Sequence, residues 1–218
     1  MTSQPFGLNP EPRCACVLVL DASASMDGPP LQELSAGLQR FFQEVSADRL
    51  ASRRVEVAIV VFGETVRVVR PFGLIAAAER EIPLEAAGKS PIGAALSVAL
   101  DLLSERTAAY ESHGLSFFRP WVFLISDGAP TDDTLAASMR IQQADGNGSL
   151  CFFPVAVAGA DVNVLSSLGI RRAMPLKGLH FQDLFVWLSV ALKQVSRSRP
   201  GDRVPLPPVD GKHGWTEV

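Results

Sequence analysis

Short apolar runs alternate along this chain with stretches of helical period, and that alternation leaves few architectures open. Cys14 to Leu20, Val55 to Phe62, Pro120 to Ser126 and Leu150 to Val157 are apolar almost throughout, as strands buried on both faces must be. Thr65 to Arg70 follows the Gly63-Glu64 turn and is expected to return as an antiparallel, half-exposed edge strand. Arg172 to Leu176 reads as a short sixth strand. Pro29-Pro30 opens a helix that runs to about Ala47, with Leu31, Leu34, Leu38, Phe41, Phe42 and Val45 on one face. A linker through Pro71, Pro83 and Gly88 leads to a second helix, from Pro91 to about Arg106. Thr131 is expected to cap a third, which reaches about Ala144 before the stop signal Asp145-Gly146-Asn147-Gly148. Residues 161–168 and Gln182 to Val195 supply two more. The pattern predicts an α/β fold: a mostly parallel six-stranded sheet with one antiparallel edge strand and helices on both faces.

Composition bounds the function classes. With 47% apolar and 20% charged residues in 218, the chain is a folded globular protein rather than a disordered one. A net charge of −3 and no run of Lys or Arg argue against nucleic acid as a partner. No apolar stretch reaches the roughly 18 residues a bilayer span needs, and Met1 to Pro12 has no signal-peptide pattern. The odd set Cys14, Cys16 and Cys151 forms no disulfide framework and points to a reducing, cytoplasmic setting. Cys14 and Cys16 share a strand face and are expected to pack as small hydrophobes. The organisation expected is an extension over 1–13, one domain over 14–195 and a Pro-rich tail over 196–218. That tail is read as mobile polyproline, or else, because it carries Trp215, as a segment that docks on the domain or on a partner.

Three stretches bring hard oxygen donors to strand ends, where an open α/β sheet collects ligands. Asp21-Ala22-Ser23-Ala24-Ser25 follows the first strand, and alternation puts Asp21, Ser23 and Ser25 on a common side. Ser90 stands at a loop-to-helix junction, and Asp127 ends the fourth strand in Ser126-Asp127-Gly128. Two carboxylates balance a divalent charge, and three hydroxyls fill most of an octahedron, leaving one position open. Mg²⁺ or Mn²⁺ is the expected ion. Each residue taken alone has a plainer explanation. Ser90 before Pro91 makes a good helix N-cap, Asp127-Gly128 is a common turn, and Ser23 and Ser25 could satisfy turn amides. Asp132 and Asp133 suit the first turn of a helix after Thr131, where carboxylates complement the dipole, although they also lie at the rim of the site. Asp27 reads as a solvated turn residue.

The D-x-S-x-S spacing, the Ser90 junction and the Phe123-to-Asp132 stretch together resemble the von Willebrand factor A domain, a Rossmann-like fold, over about residues 14–195. Asp127-Gly128-Ala129-Pro130-Thr131-Asp132 is similar, more narrowly, to the bacterial TerY-like group associated with tellurite resistance and stress operons. The resemblance implies a metal-ion-dependent adhesion site on Asp21, Ser23, Ser25, Ser90 and Asp127. In that family the serines touch the metal directly, while the aspartates often act through water. Thr is usual where Ser90 stands; Ser keeps the hydroxyl but loses the β-branch that restricts χ1. The function implied is a non-enzymatic interaction module that binds a Glu or Asp of a partner protein through the ion. A protein kinase or phosphatase is a candidate partner. Two alternatives are a metal-dependent hydrolase or phosphatase, and a scaffold whose Pro-rich tail does the binding. The hydrolase reading lacks a G-x-S-x-G or P-loop motif, Ser23 replaces the second Asp of a D-x-D, and His113, His180 and His213 follow no serine-activating pattern.

Overall fold

Every side chain of β1 (Cys14–Asp21) is buried, because this strand lies in the middle of the sheet with helices on both faces. Its alternation sorts the core into two layers. Cys14, Cys16, Leu18 and Leu20 face one way, while Ala15, Val17 and Val19 face the other. The computed structural model describes residues 9–75, 82–209 and 216. The remaining strands are β2 (Val55–Phe62), β3 (Arg67–Leu74), β4 (Trp121–Ser126), β5 (Cys151–Ala156) and β6 (Met174–Pro175). The helices are α1 (Pro29–Ala47), α2 (Ala51–Arg54), α3 (Ile92–Ser112), α4 (Leu135–Gly146), α5 (Val162–Ser167) and α6 (Phe181–Arg197). The sheet order is β3-β2-β1-β4-β5-β6, with β3 alone antiparallel. This is the mostly parallel α/β sheet expected from the alternation, in the Rossmann-like arrangement that the resemblance implies.

On the first face α1 and α6 pack against the sheet and each other through Leu34, Leu38, Phe41, Phe181, Phe185 and Leu188. Gly37 permits their close approach: a Cβ there would lie 2.6 Å from the Phe185 ring and 3.0 Å from the Phe181 carbonyl oxygen. On the second face α3, α4 and α5 contribute Ile92, Leu96, Ala99, Ile141 and Leu165. Cys14 and Cys16 belong to the first layer, and burial pushes the Cys14 thiol up to about 12 and raises Cys16 as well.

Several boundaries differ from the sequence expectation. β3 runs to Leu74, so Pro71 belongs to the edge strand rather than to a linker; proline is tolerated there because an edge strand leaves one row of amides unpaired. Its pairing with β2 shifts register between Val57 and Val60, where Arg70 turns inward and its guanidinium donates to the carbonyls of Val57, Gly73 and Leu74. The short α2 was not anticipated, and β6 keeps only two residues. α3 extends to Ser112 because Tyr110 finds a buried partner on β2.

The described part of the tail is seated on the domain, which corrects the mobile reading. The Trp187 indole N–H donates to the Pro207 carbonyl at 2.9 Å, and Val204 and Val209 pack against the first layer. Thr216 forms an antiparallel bridge with Leu176 and its hydroxyl donates to the Pro175 carbonyl at 2.5 Å. Trp215 and His213 lie outside the described residues. Among the described residues no helix is long and apolar enough to cross a membrane.

Candidate functional site

Strand order reverses between β1 and β4, since β1 connects onward to β2 on one side while β4 leads to β5 on the other. Leu20 pairs with Ile125 across that point, so Asp21 and Ser126 end adjacent strands. Asp21 is fully buried and is the hub of the site. Its Oδ1 accepts the Ser23 amide N–H at 2.8 Å, and its Oδ2 accepts the Ser126 hydroxyl. Burial pushes the Asp21 carboxyl above the usual carboxylate range. The bonds from Ser126 and Ser23 oppose that shift, and the nearby Asp127 charge adds to it.

The Ser23 and Ser25 hydroxyl oxygens stand 3.0 Å apart, and Ser25 Oγ donates to Asp127 Oδ1 at 2.9 Å. A single turn of 3₁₀ helix over Ala24–Met26 makes this possible. Strand alternation does not carry on past Asp21, which corrects the local expectation while leaving the residues neighbours. Ser23 is buried and Ser25 exposed, so the hydroxyl pair runs from the core to the surface.

Ser90 joins from a third segment. Its carbonyl accepts the Ile92 amide at 2.8 Å and the Thr131 amide at 3.0 Å, which pins it between the start of α3 and the β4–α4 loop. Gly128 leaves room beside it: a Cβ there would lie 2.9 Å from Ser90 Oγ and 4.0 Å from Asp21 Oδ2. The five anticipated residues thus converge on one end of the sheet. The capping readings, by contrast, do not hold. Ser90 makes no side-chain cap, since α3 begins at Ile92 with Pro91 in the cap position. Thr131 caps nothing either, because α4 begins at Leu135 after Thr134. Asp133 accepts the Leu135 amide at 2.9 Å, whereas Asp132 reaches α3 rather than its own helix, accepting from Gly93 and Ala94 at 2.9 and 2.8 Å.

Two features escaped the sequence reading. Ser126, which holds Asp21, was visible only as part of a strand end. The second is the platform under the first loop. Ala22 N–H donates to the Phe62 carbonyl at 2.7 Å, and Ala87 N–H donates to the Ala22 carbonyl at 2.9 Å. Gly63 fills the gap between them, since its Cβ would lie 2.5 Å from Ala22 O and 2.6 Å from Ala87 O. Gly63→Ala is therefore expected to destabilise the fold by about 1–3 kcal/mol through main-chain overpacking, read as a lower urea midpoint at unchanged slope. An unchanged midpoint would contradict this packing.

The donor set is hard: carboxylates and hydroxyls, with no cysteine or histidine in it. Among the described residues no group of three or more His, Cys, Asp or Glu side chains forms a metal cage. His113 bonds the Ala109 carbonyl and His180 pairs with Asp183, so each described imidazole has its bonds away from the site serines.

Comparison with known proteins agrees with this architecture. No curated protein matches the chain. Among solved structures, the manganese-loaded TRAP protein of Plasmodium vivax superposes with a TM-score of 0.61 at 14% identity, covering 86% of this chain and 74% of that one. Proximal thread matrix protein 1 from the mussel byssus, in a form with a zinc-occupied MIDAS motif, gives 0.59 at 14% identity, covering 85% and 49%. The ArnB paralog VWA2 from Sulfolobus acidocaldarius gives 0.55 at 15%, covering 83% and 45%. The chain thus spans about half the length of the mussel protein. Such identities speak for the fold alone. The von Willebrand factor type A domain model matches residues 16–176, from the middle of β1 to just past β6, and so the chain belongs to the von Willebrand factor type A domain family.

Proposed function

We propose that this chain is a metal-dependent protein-interaction module. Asp21, Ser23, Ser25, Ser90 and Asp127 would hold a divalent cation, Mg²⁺ or Mn²⁺, and a Glu or Asp of a partner protein would complete its coordination. The observation that carries this reading is the hydrogen-bonded run at the switch point: the Ser23 amide on Asp21, the Ser23 hydroxyl beside that of Ser25, and the Ser25 hydroxyl on Asp127, with Ser90 beside the cradle at Gly128. Two carboxylates within one hydroxyl-bridged cluster repel each other unless a cation lies between them. When bound, the ion supplies a Lewis-acidic position for an outside carboxylate. The protein's part is to orient the hydroxyls, keep Asp21 buried and leave Ser25 and Asp127 toward solvent. The manganese of the TRAP protein and the zinc of the mussel protein support a divalent ion on this fold.

The finer placement rests on Asp127-Gly128-Ala129-Pro130-Thr131-Asp132 and its likeness to the TerY-like group. With that likeness go a bacterial stress-response or defence setting and a protein kinase or phosphatase as partner. A cytoplasmic location fits the unpaired thiols of Cys14, Cys16 and Cys151. The interaction reading is preferred to a hydrolase because nothing beside the serines serves as a base. It is preferred to a tail-based scaffold because the described tail is occupied on the domain itself.

Calorimetric titration with Mg²⁺ and with Mn²⁺ tests the proposal. The expected result is saturable binding of one ion per chain, a rise in melting temperature reversed by EDTA, and loss of both in Asp127→Ala. Absence of binding in the wild-type chain, or binding unchanged by Asp127→Ala, would overturn it.

A further inference from the structure

Asp132 is not in the proposed donor set, yet it ties two of the donor segments together. α3 has 21 residues and starts without a side-chain cap of its own, because Pro91 occupies the cap position. Its first amides carry the positive end of the helix dipole and need acceptors. Asp132 supplies them from 39 and 38 residues away: Oδ1 accepts Gly93 N–H at 2.9 Å and Oδ2 accepts Ala94 N–H at 2.8 Å. Around this clamp the main chains touch. Thr131 N–H donates to the Ser90 carbonyl at 3.0 Å, and a Cβ on Gly93 would lie 2.1 Å from the Asp133 carbonyl oxygen. Ser90 lies three residues before Gly93, and Asp127 five before Asp132. The clamp therefore makes the Ser90 segment and the Asp127 segment one rigid piece.

We propose that Asp132 is a positioning residue of the cation site, setting where the Ser90 hydroxyl stands relative to Asp127. This inference rests on the metal-site reading above. Mg²⁺ demands near-ideal octahedral geometry with short bonds, whereas Ca²⁺ accepts longer and irregular ones. Loosening Ser90 against Asp127 must therefore cost Mg²⁺ more than Ca²⁺. A helix cap with no part in the site would affect both ions alike, or neither.

The test uses the full chain with Asp132→Asn. The amide keeps one acceptor for Gly93 or Ala94 and presents an N–H group to the other, so the bidentate clamp is lost with little change in volume. Asp161→Asn is the control for loss of a carboxylate charge at a helix start away from the site, since Asp161 caps α5 through its Oδ1 alone, accepting from Asn163 at 2.8 Å and Val164 at 3.3 Å. Expected for Asp132→Asn are a Mg²⁺ affinity lower by about tenfold or more, as for other outer residues that orient metal ligands, a smaller loss for Ca²⁺, and faster hydrogen exchange at Gly93 and Ala94. Asp161→Asn should leave both affinities at the wild-type level. Wild-type Mg²⁺ binding that Asp132→Asn leaves unchanged, or an equal loss in Asp161→Asn, would overturn the positioning role alone. A wild-type chain that binds neither ion would overturn the metal-site reading together with it.

Discussion

Asp21→Asn is expected to weaken Mg²⁺ binding by at least about 100-fold, equivalent to about 2.7 kcal/mol, with less than about 1 kcal/mol change in the stability of the EDTA-treated chain. The two effects separate because the substitution removes a charge but keeps the bonds. Asn retains an oxygen for the Ser23 amide, and its NH₂ can donate to the Ser126 hydroxyl, which now accepts instead of donating. What disappears is the buried anion. A unit charge pair at 4 Å and an effective dielectric of 20 is worth about 4 kcal/mol, so a divalent ion loses more than its desolvation returns. The chain without the ion also loses the repulsion between Asp21 and Asp127. Titration calorimetry of the variant beside urea unfolding in EDTA gives both numbers. Wild-type affinity in Asp21→Asn would remove Asp21 from the site.

At the other end of the sheet, Glu56→Ala is expected to destabilise the fold by about 3–5 kcal/mol, the usual cost of breaking a buried ion pair from one side. Glu56 is 2% exposed at the start of β2. Its Oε1 accepts Arg13 Nε at 3.1 Å, and its Oε2 accepts Arg106 Nε and the Tyr110 hydroxyl, each at 2.6 Å. Arg13 is itself 2% exposed and Tyr110 fully buried; burial first, then the Glu56 charge, raises the Tyr110 hydroxyl far above its ordinary value. Removing the carboxylate leaves two guanidinium groups in this layer without their shared counter-charge. Urea unfolding should show a lower midpoint and an unchanged slope. Because this cluster lies at the amino ends of β1 and β2, the protein that remains folded should bind Mg²⁺ as wild type does. A destabilisation below about 1 kcal/mol would show the cluster to be no more than a surface pair.

This cluster also marks a limit on what the primary structure discloses. Within Val55-Glu56-Val57, the glutamate is the one charged residue of an otherwise apolar strand, and nothing beside it says what balances its charge. Its partners lie 43 and 50 residues away, and no local pattern announces them. The helix starts were misread for a related reason. Ser90-Pro91 and Thr131 carry good capping chemistry, but caps depend on which amides come within reach, and Asp132 from another loop reaches the α3 amides instead. The tail's prolines and Trp215 left both a mobile and a docked reading open, because neither says anything of the acceptor that Trp187 finds in the Pro207 carbonyl.

Alternating apolar runs and helical periods determined the layered sheet, its antiparallel edge and its two-faced core, because burial demands those periods wherever the strands come to lie. The residue types at Asp21, Ser23, Ser25, Ser90 and Asp127 likewise determined which chemistry could be assembled. Only the tertiary structure decided that β1 and β4 are neighbours, that a 3₁₀ turn rather than strand alternation gathers the serines, and that Asp132, Ser126 and Gly63 hold the pieces in place. Those outcomes depend on contacts between segments tens of residues apart, whose geometry is set when the layers pack and not by any local preference of the chain.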